Sequence, residues 1–264
     1  MPYRVDLRLV GDDAFDRLVE LGALDAEISQ DGAVAALMPD NVAPAQVAAA
    51  LGLADVSVSA AIGRDDDSVW ILSRRPIHVG RLRIVPAHLD AEPGALRLLD
   101  STAFGSGLHP TTALCLEAIE EAVTNFIPSA MLDVGVGSGV LALAALTLGV
   151  PRVMGLDIDE KALRVAAENA RLNALSDRLE LARGGPDVVA GTWPFIVANV
   201  LTAPLIEMAS VLIRRVGHHG RLVLSGIPVS LESDVARVYR RLGMQRVCVM
   251  SRADWVAIVM QASW

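Results

Sequence analysis

Lysine is nearly missing from this chain: Lys161 stands alone against 22 arginines, a coding bias without mechanistic meaning. Cysteine is scarce as well. Cys115 and Cys248 lie in apolar contexts without metal-ligand spacing, so they read as buried thiols, and neither a metal site nor redox chemistry is implied. No apolar run reaches the roughly 18 residues that a membrane span requires. The opening MPYRVDLRLV lacks a basic region followed by an apolar core, so we expect no secretion signal, no membrane contact and a cytoplasmic chain. What remains is 264 residues with 53% hydrophobic and 20% charged side chains, the composition of a globular protein with one large domain or two of unequal size.

Positive charge is also missing where the chain begins. Residues 1 to 62 hold three arginines against ten acids, a balance of −7, which leaves −1 of the net −8 for the other 202 residues. Such a lobe suits a basic partner and disfavours binding nucleic acid through phosphates. Plain solvation is the alternative, since exposed acids also keep a domain soluble. The lobe has no histidine, no cysteine and no polar cluster on a glycine turn. It therefore reads as a recognition lobe without a catalytic constellation.

The order of elements in that lobe follows from periodicity. Tyr3 to Val10 alternates as a strand with one wet face, and Asp12 or Asp13 caps a helix through Leu21 that carries Phe15, Leu18 and Val19 on one side. Ala26 to Gln30, the Asp31-Gly32 turn and Ala33 to Met38 make a hairpin. Pro44 opens a helix to Leu51, and Asp55 to Ala61 is a strand. The sequence βαββαβ predicts a small α+β, ferredoxin-like domain over 1–62. Gly63 to Asp67 reads as a hydrophilic break, and 63–95 as a linker with short strands, kept short or at edges by Pro76, Pro86 and Pro93.

Over 96–264 the pattern is that of a doubly wound α/β sheet, mostly parallel with one antiparallel strand. Met131 to Val134 is a buried strand, Val140 to Leu148 a helix and Arg152 to Leu156 the next strand. Arg178 to Ala182, Phe195 to Val200 and Arg221 to Ser225 are further strands, the last after a Gly217 and Gly220 turn. Leu205 to Val216 and Asp234 to Leu242 are helical, and Gln245 to Met250 with Trp255 to Met260 forms the closing hairpin.

Two stretches carry chemistry. Between the first strand and its helix stand Asp133, Gly135, Gly137, Ser138 and Gly139, a G-x-G-x-G pattern in which glycine permits positive φ and close approach of a ligand, ahead of a helix start with unpaired N–H groups. A dinucleotide fingerprint would need glycine at 140, where Val140 stands. Asp157 follows 22 residues after Gly135, where its carboxylate can accept from both hydroxyls of a ribose. This pairing resembles the nucleotide loop of class I methyltransferases that bind S-adenosylmethionine. The second stretch, Ser101 to Thr112, places Phe104, Gly105, Ser106, Gly107, His109, Thr111 and Thr112 before a helix that Pro110 starts and that runs to Val123. Phe104 can lie against an adenine or a methionyl chain, with Thr112 hydrogen-bonding the cofactor. The plainer reading makes Thr111 and Thr112 helix-start residues and His109 a structural histidine.

Together, Phe104-Gly105-Ser106-Gly107-Leu108-His109-Pro110-Thr111-Thr112, the loop at 132–139, Gly155-Leu156-Asp157-Ile158-Asp159, Glu168-Asn169-Ala170-Arg171-Leu172-Asn173 and Val197-Ala198-Asn199-Val200-Leu201 resemble the bacterial ribosomal protein L-eleven (L11) methyltransferases. The resemblance covers residues about 68 to 261, and the N-terminal lobe matches in size and element order. Departures are Ser106, Val136 and Pro194, the last at a strand edge. The resemblance implies an S-adenosylmethionine-dependent protein lysine N-methyltransferase, with S-adenosylhomocysteine as product. Its substrate would be the lysine side-chain or N-terminal amines of ribosomal protein L-eleven, held by the acidic lobe. It implies cofactor contacts at Thr112, Gly135, Asp157 and Asn199, to which we add Phe104, Gly105, Ser106, Gly107, Thr111, Asp133, Gly137, Ser138 and Ile158. Asn199 is the candidate for orienting the amine, with no acid or base assigned. A methyltransferase of another protein lysine or of a small molecule, or a non-catalytic binding module, would carry the same fold.

Overall fold

Residues 1–7, 13–28, 33–61, 64–65, 69–70, 72, 76–99 and 109–264 are described in the computed structural model of the chain. Phe104, Gly105, Ser106, Gly107, the Asp31-Gly32 turn and most of Gly63 to Asp67 lie outside them. The chain divides into two units, Met1–Arg74 and Arg75–Trp264.

The first unit runs β1 (Tyr3–Leu7), α1 (Ala14–Glu20), β2 (Asp25–Ile28), β3 (Val34–Met38), α2 (Pro44–Leu51), β4 (Val58–Ala60). A two-stranded ribbon, β5 (Arg64–Asp65) and β6 (Val69–Trp70), follows. The sheet order is β2-β3-β1-β4, each strand antiparallel to its neighbours. Val5, Leu7, Leu18, Val34, Ala36, Met38 and Val47 share one core. The opposite face of β3 is also covered, because Leu37 and Ala35 pack with Leu72 and Trp70. Two expectations need correction. Of the two candidate caps, Asp12 lies outside the described residues, and Asp13 occupies the N-cap of α1 in a helical conformation with no side-chain cap bond, its carboxylate pairing with Arg17, 2.6 Å away. Val19 is 51% exposed, because Ala14 and Leu18 form the buried stripe.

The second unit opens with β7 (Ile77–Val79), β8 (Leu82–Pro86) and β9 (Leu96–Leu98). Val79, Leu82, Ile84, Leu96 and Leu98 enter the same core as the helices that follow. Next come α3 (Pro110–Asn125), β10 (Met131–Val134), α4 (Val140–Leu148), β11 (Val153–Asp157), α5 (Glu160–Leu172), β12 (Leu179–Arg183) and β13 (Trp193–Asn199). The chain ends with α6 (Thr202–Glu207), α7 (Ala209–Ile213), β14 (Val216–Pro228), α8 (Glu232–Arg241), β15 (Met244–Arg252) and β16 (Trp255–Ala262).

Seven strands lie in the order β12-β11-β10-β13-β14-β16-β15. The first five are mutually parallel, and β16 runs antiparallel between β14 and β15. Successive residues go to opposite faces: Phe195, Val197 and Val223 join the core under α3, α4 and α5, whereas Ile196, Ala198 and Leu222 join the one under α6, α7 and α8. Both faces are therefore dry, which explains why these strands are continuously apolar.

The predicted helix over Leu205 to Val216 is two short helices, α6 and α7, separated at Met208. β14 starts at Val216 rather than after a turn, since Val216 pairs with Trp193 and Phe195 with Arg221 across a bulge. Gly217 and Gly220 make the bulge possible: a Cβ on Gly220 would lie 2.9 Å from the Gly217 carbonyl oxygen. Pro194 falls within that irregularity, where a missing N–H costs no ladder bond. Cys115 is buried and Cys248 half-buried, both free thiols. Among the described residues no helix is long and apolar enough to cross a membrane.

Candidate functional site

The direction of winding changes between β10 and β13, since β11 and β12 lie to one side of β10 and β13 to the other. A crevice forms at the carboxyl ends of such a pair, the usual ligand site of an open α/β sheet. Gly135 follows β10, Asp157 ends β11 and Asn199 ends β13. Gly135 and Val200 touch across the crevice floor, where a Cβ on Gly135 would come 2.4 Å from Val200 Cγ1. With φ at +79°, position 135 excludes any side chain on two grounds.

The N–H groups of the glycine loop are largely satisfied within the protein. Those of Gly135 and Val136 both donate to the Leu156 carbonyl at 2.8 Å, and that of Gly139 to Val136 at 2.8 Å. Gly137 donates to Asp157 Oδ2 at 3.0 Å. Val140 donates to Ser138 Oγ at 3.4 Å and Ala142 to Asp133 Oδ2 at 3.1 Å. This corrects the expectation of a helix start with unpaired N–H groups: Ser138 and Asp133 cap α4 from inside. The loop thus offers close approach rather than an anion cradle. Asp157 keeps capacity beyond its two bonds to Gly137 and to the Asp159 N–H (2.9 Å), because each carboxylate oxygen has a second lone pair. Ile158, beside it, is 77% exposed.

Asp133 turns into the core and is wholly buried. Desolvation, partly offset by the Ala142 N–H and reinforced by the nearby Asp157 charge, raises its pKa to about 8, so the carboxyl is mostly neutral at pH 7. It cannot serve as a base for a ligand in the crevice. Its raised pKa has a stability consequence. Between about pH 4, where an unfolded aspartate titrates, and pH 8, the folded state holds more protons than the unfolded state, so stability falls as pH rises. Asp133→Asn removes this term. Denaturant midpoints of parent and variant should move apart in the variant's favour from pH 4 to pH 8, by about 1 kcal/mol or more, and equal pH slopes would refute the buried neutral state.

The start of α3 forms the second wall. His109 is its N-cap, with Nδ1 accepting the Thr111 N–H at 3.3 Å and lying 2.7 Å from Thr111 Oγ1. Its ring stands edge-on to Trp255, centroids 5.2 Å apart. The hydroxyl of Thr111 and the ring of His109 are thus engaged in the helix start, and Pro110 sits where no N–H is needed. Thr112 differs. Among the described residues its buried Oγ1 has no hydrogen-bond partner, and the same holds for Asn199 Oδ1 and Asp133 Oδ1. Orphaned polar atoms of this kind are rare in a finished core and mark places where a ligand can complete the bonding. Ser225, not singled out from the sequence, joins the two walls: its strand pairs Asn199 with Ser225, and its hydroxyl reaches the carbonyls of Val256 (3.1 Å) and Thr111 (3.5 Å). The available signal was a polar residue ending an apolar strand in register with Asn199. Among the described residues no three His, Cys, Asp or Glu side chains group to hold a metal ion.

Comparison with known proteins gives a consistent result. The family model described as Ribosomal protein L11 methyltransferase (PrmA) matches residues 13–263. A Pelobacter propionicus protein named ribosomal protein L11 methyltransferase is 39% identical over 210 residues, covering 76% of this chain and 68% of that protein. A Paraburkholderia phymatum protein of the same name is 42% identical over 219 residues, covering 79% and 71%. The crystal structure of a ribosomal protein L11 methylase from Lactobacillus delbrueckii subsp. bulgaricus superposes with a TM-score of 0.67 at 30% identity, over 72% of this chain and all of that one. The chain belongs to the ribosomal protein L11 methyltransferase family, with an α/β methyltransferase fold.

Proposed function

We propose that the chain is an S-adenosylmethionine-dependent protein N-methyltransferase acting on lysine side-chain or N-terminal amines of ribosomal protein L11 in the cytoplasm. The observation that carries this reading is the loop's own bonding. A pyrophosphate needs free backbone N–H groups at the glycine turn, and here Gly135, Val136, Gly137, Gly139 and Val140 already donate inside the protein. A nucleoside without phosphates loses nothing by that. It needs acceptors for its ribose hydroxyls, which Asp157 offers, and an apolar neighbour for its base, for which Ile158 stands exposed. The cofactor supplies a methyl group already activated on a sulfonium.

The rest is positioning. Thr112 Oγ1, which can donate or accept, and Asn199 Oδ1, an acceptor, are buried without a partner among the described residues, and these are the atoms assigned to the ligand. Asn199 Oδ1 accepts an N–H of the incoming amine and holds it in line, and alignment of reacting groups lowers such barriers by about 7 to 11 kcal/mol. A lysine ammonium, with an ordinary pKa of about 10.4, must first lose a proton, which a dry crevice favours by disfavouring the charged form. The first unit, whose βαββαβ order and β2-β3-β1-β4 sheet fit a ferredoxin-like sandwich, is the substrate reader through its excess of acids. Incubating the purified chain with methyl-labelled S-adenosylmethionine and unmethylated ribosomal protein L11 tests the reading directly. Label on amines of that protein is expected; label only on other proteins or on metabolites of a lysate would overturn the substrate assignment.

A further inference from the structure

Asn169 lies on α5, and its side chain is fully buried. Its amide is divided between two backbones. Oδ1 accepts the Leu99 N–H at 2.8 Å, just beyond the end of β9, while Nδ2 donates to the Ser138 carbonyl in the glycine loop at 2.8 Å. One turn further along α5, Asn173 grips the same strand with both ends of its amide on a single residue, accepting from the Arg97 N–H at 2.8 Å and donating to the Arg97 carbonyl at 2.7 Å. The spacings agree. Two residues of extended chain advance about 6.6 Å and four of a helix about 6 Å, so asparagines at 169 and 173 fall in step with Leu99 and Arg97. Asn173 closes on the strand and on its own helix, its Nδ2 also donating to the Asn169 carbonyl at 2.7 Å; Asn169 ties the strand to the loop.

The tie meets the loop at a peptide that leads into a glycine. The Ser138–Gly139 unit precedes a glycine with φ of +85°, a conformation that imposes no side-chain restraint of its own. Asn169 holds the carbonyl of this peptide and Val136 its N–H. Rotation of that unit would break the Gly139–Val136 bond that closes the turn containing Gly137, and the Gly137 N–H fixes one oxygen of Asp157. We propose that Asn169 is a positioning residue of the methyltransferase: by holding Ser138 against the strand at Leu99, it keeps the glycine loop and Asp157 in the shape that binds S-adenosylmethionine. The proposal rests on the reading of this loop as part of the S-adenosylmethionine site. No residue other than one with both a donor and an acceptor at this length can make the bridge, so an aspartate keeps the strand bond and sets an acceptor against the Ser138 carbonyl.

Calorimetry with S-adenosylmethionine on the full chain tests this. Asn169→Asp should raise the Kd about tenfold or more, while Asn173→Ala, which releases Arg97 and the Asn169 carbonyl but leaves the Leu99–Asn169–Ser138 bridge in place, lowers the melting temperature and leaves the Kd within about twofold. A purely structural role for Asn169 would make the two variants alike. Tenfold weaker binding of Asn169→Asp alone supports the bridge, whereas equal affinities of parent and Asn169→Asp overturn it. A parent that does not bind S-adenosylmethionine overturns instead the functional reading on which it rests. The parent also reports without any variant: the exchange of the Asn169 Nδ2 protons with water, followed by NMR, should slow about tenfold or more on addition of S-adenosylmethionine, and an unchanged rate refutes the coupling even if Asn169→Asp does not fold.

Discussion

Asp157→Ala should weaken S-adenosylmethionine binding roughly 100-fold to 1,000-fold, measured by calorimetry on the otherwise intact chain. The magnitude follows from the bonds removed. Each hydrogen bond from a ribose hydroxyl to a carboxylate contributes about 1.5 to 3 kcal/mol, and the same substitution releases the Gly137 N–H, which donates to Asp157 Oδ2 at 3.0 Å. Asp159→Ala is the control. Asp159 is exposed and accepts the Lys161 N–H at 2.8 Å as the N-cap of α5, so its loss should cost about 1 kcal/mol of stability and little affinity. Equal affinities of parent and Asp157→Ala would remove the cofactor from the carboxyl edge of the sheet.

The second large effect concerns the acidic unit. A chain lacking residues 1–74 should no longer methylate ribosomal protein L11 at a measurable rate, while its S-adenosylmethionine affinity stays within about twofold of the parent. The two halves of the expectation have separate grounds. The first unit encloses its own core around Val5, Leu18 and Met38, and the second encloses its own around residues of β7–β9 and the seven-stranded sheet. Removing the first unit therefore leaves the crevice residues with their neighbours. The charge balance of −7 over residues 1–62 then predicts how the substrate is lost. Attraction between exposed charges is screened beyond about 8 Å at physiological salt, so for the intact chain the KM for the protein substrate should rise with sodium chloride while the cofactor Kd changes little. Full-rate methylation by the shortened chain, or a salt-independent KM, would show that the first unit is not the reader.

Much of the fold is legible in the residues because its signals are local. Val140–Leu148 and Pro44–Leu51 stand in the structure with the predicted bounds, since each begins or ends at a glycine or proline whose backbone restrictions act within one turn. Met131–Val134 is likewise local, an apolar run stopped by glycine. The misplacements share a different cause. Whether 205–216 forms one helix or two, and whether Gly217 and Gly220 turn the chain or bulge a strand, depends on Trp193 pairing with Val216, a contact 23 residues distant in sequence. Asp13 looked like a cap because its type favours one; its carboxylate went to Arg17 instead.

Residue types and spacing alone determined that a glycine-rich loop precedes an acid at the end of the next strand, that the sheet is doubly wound, and that the first unit is acidic. Only the tertiary structure decided the direction in which each polar group faces. Asp133 and Asp157 are the same residue type near the carboxyl ends of adjacent parallel strands, yet one turns inward to cap α4 as a neutral acid and the other turns outward with lone pairs to spare. Asn169 could be read as one more asparagine on an exposed helix until Leu99 and Ser138 were found on either side of it. The physical reason is that periodicity assigns a side chain to a face, whereas a hydrogen bond depends on which distant backbone the fold brings within 3 Å of it.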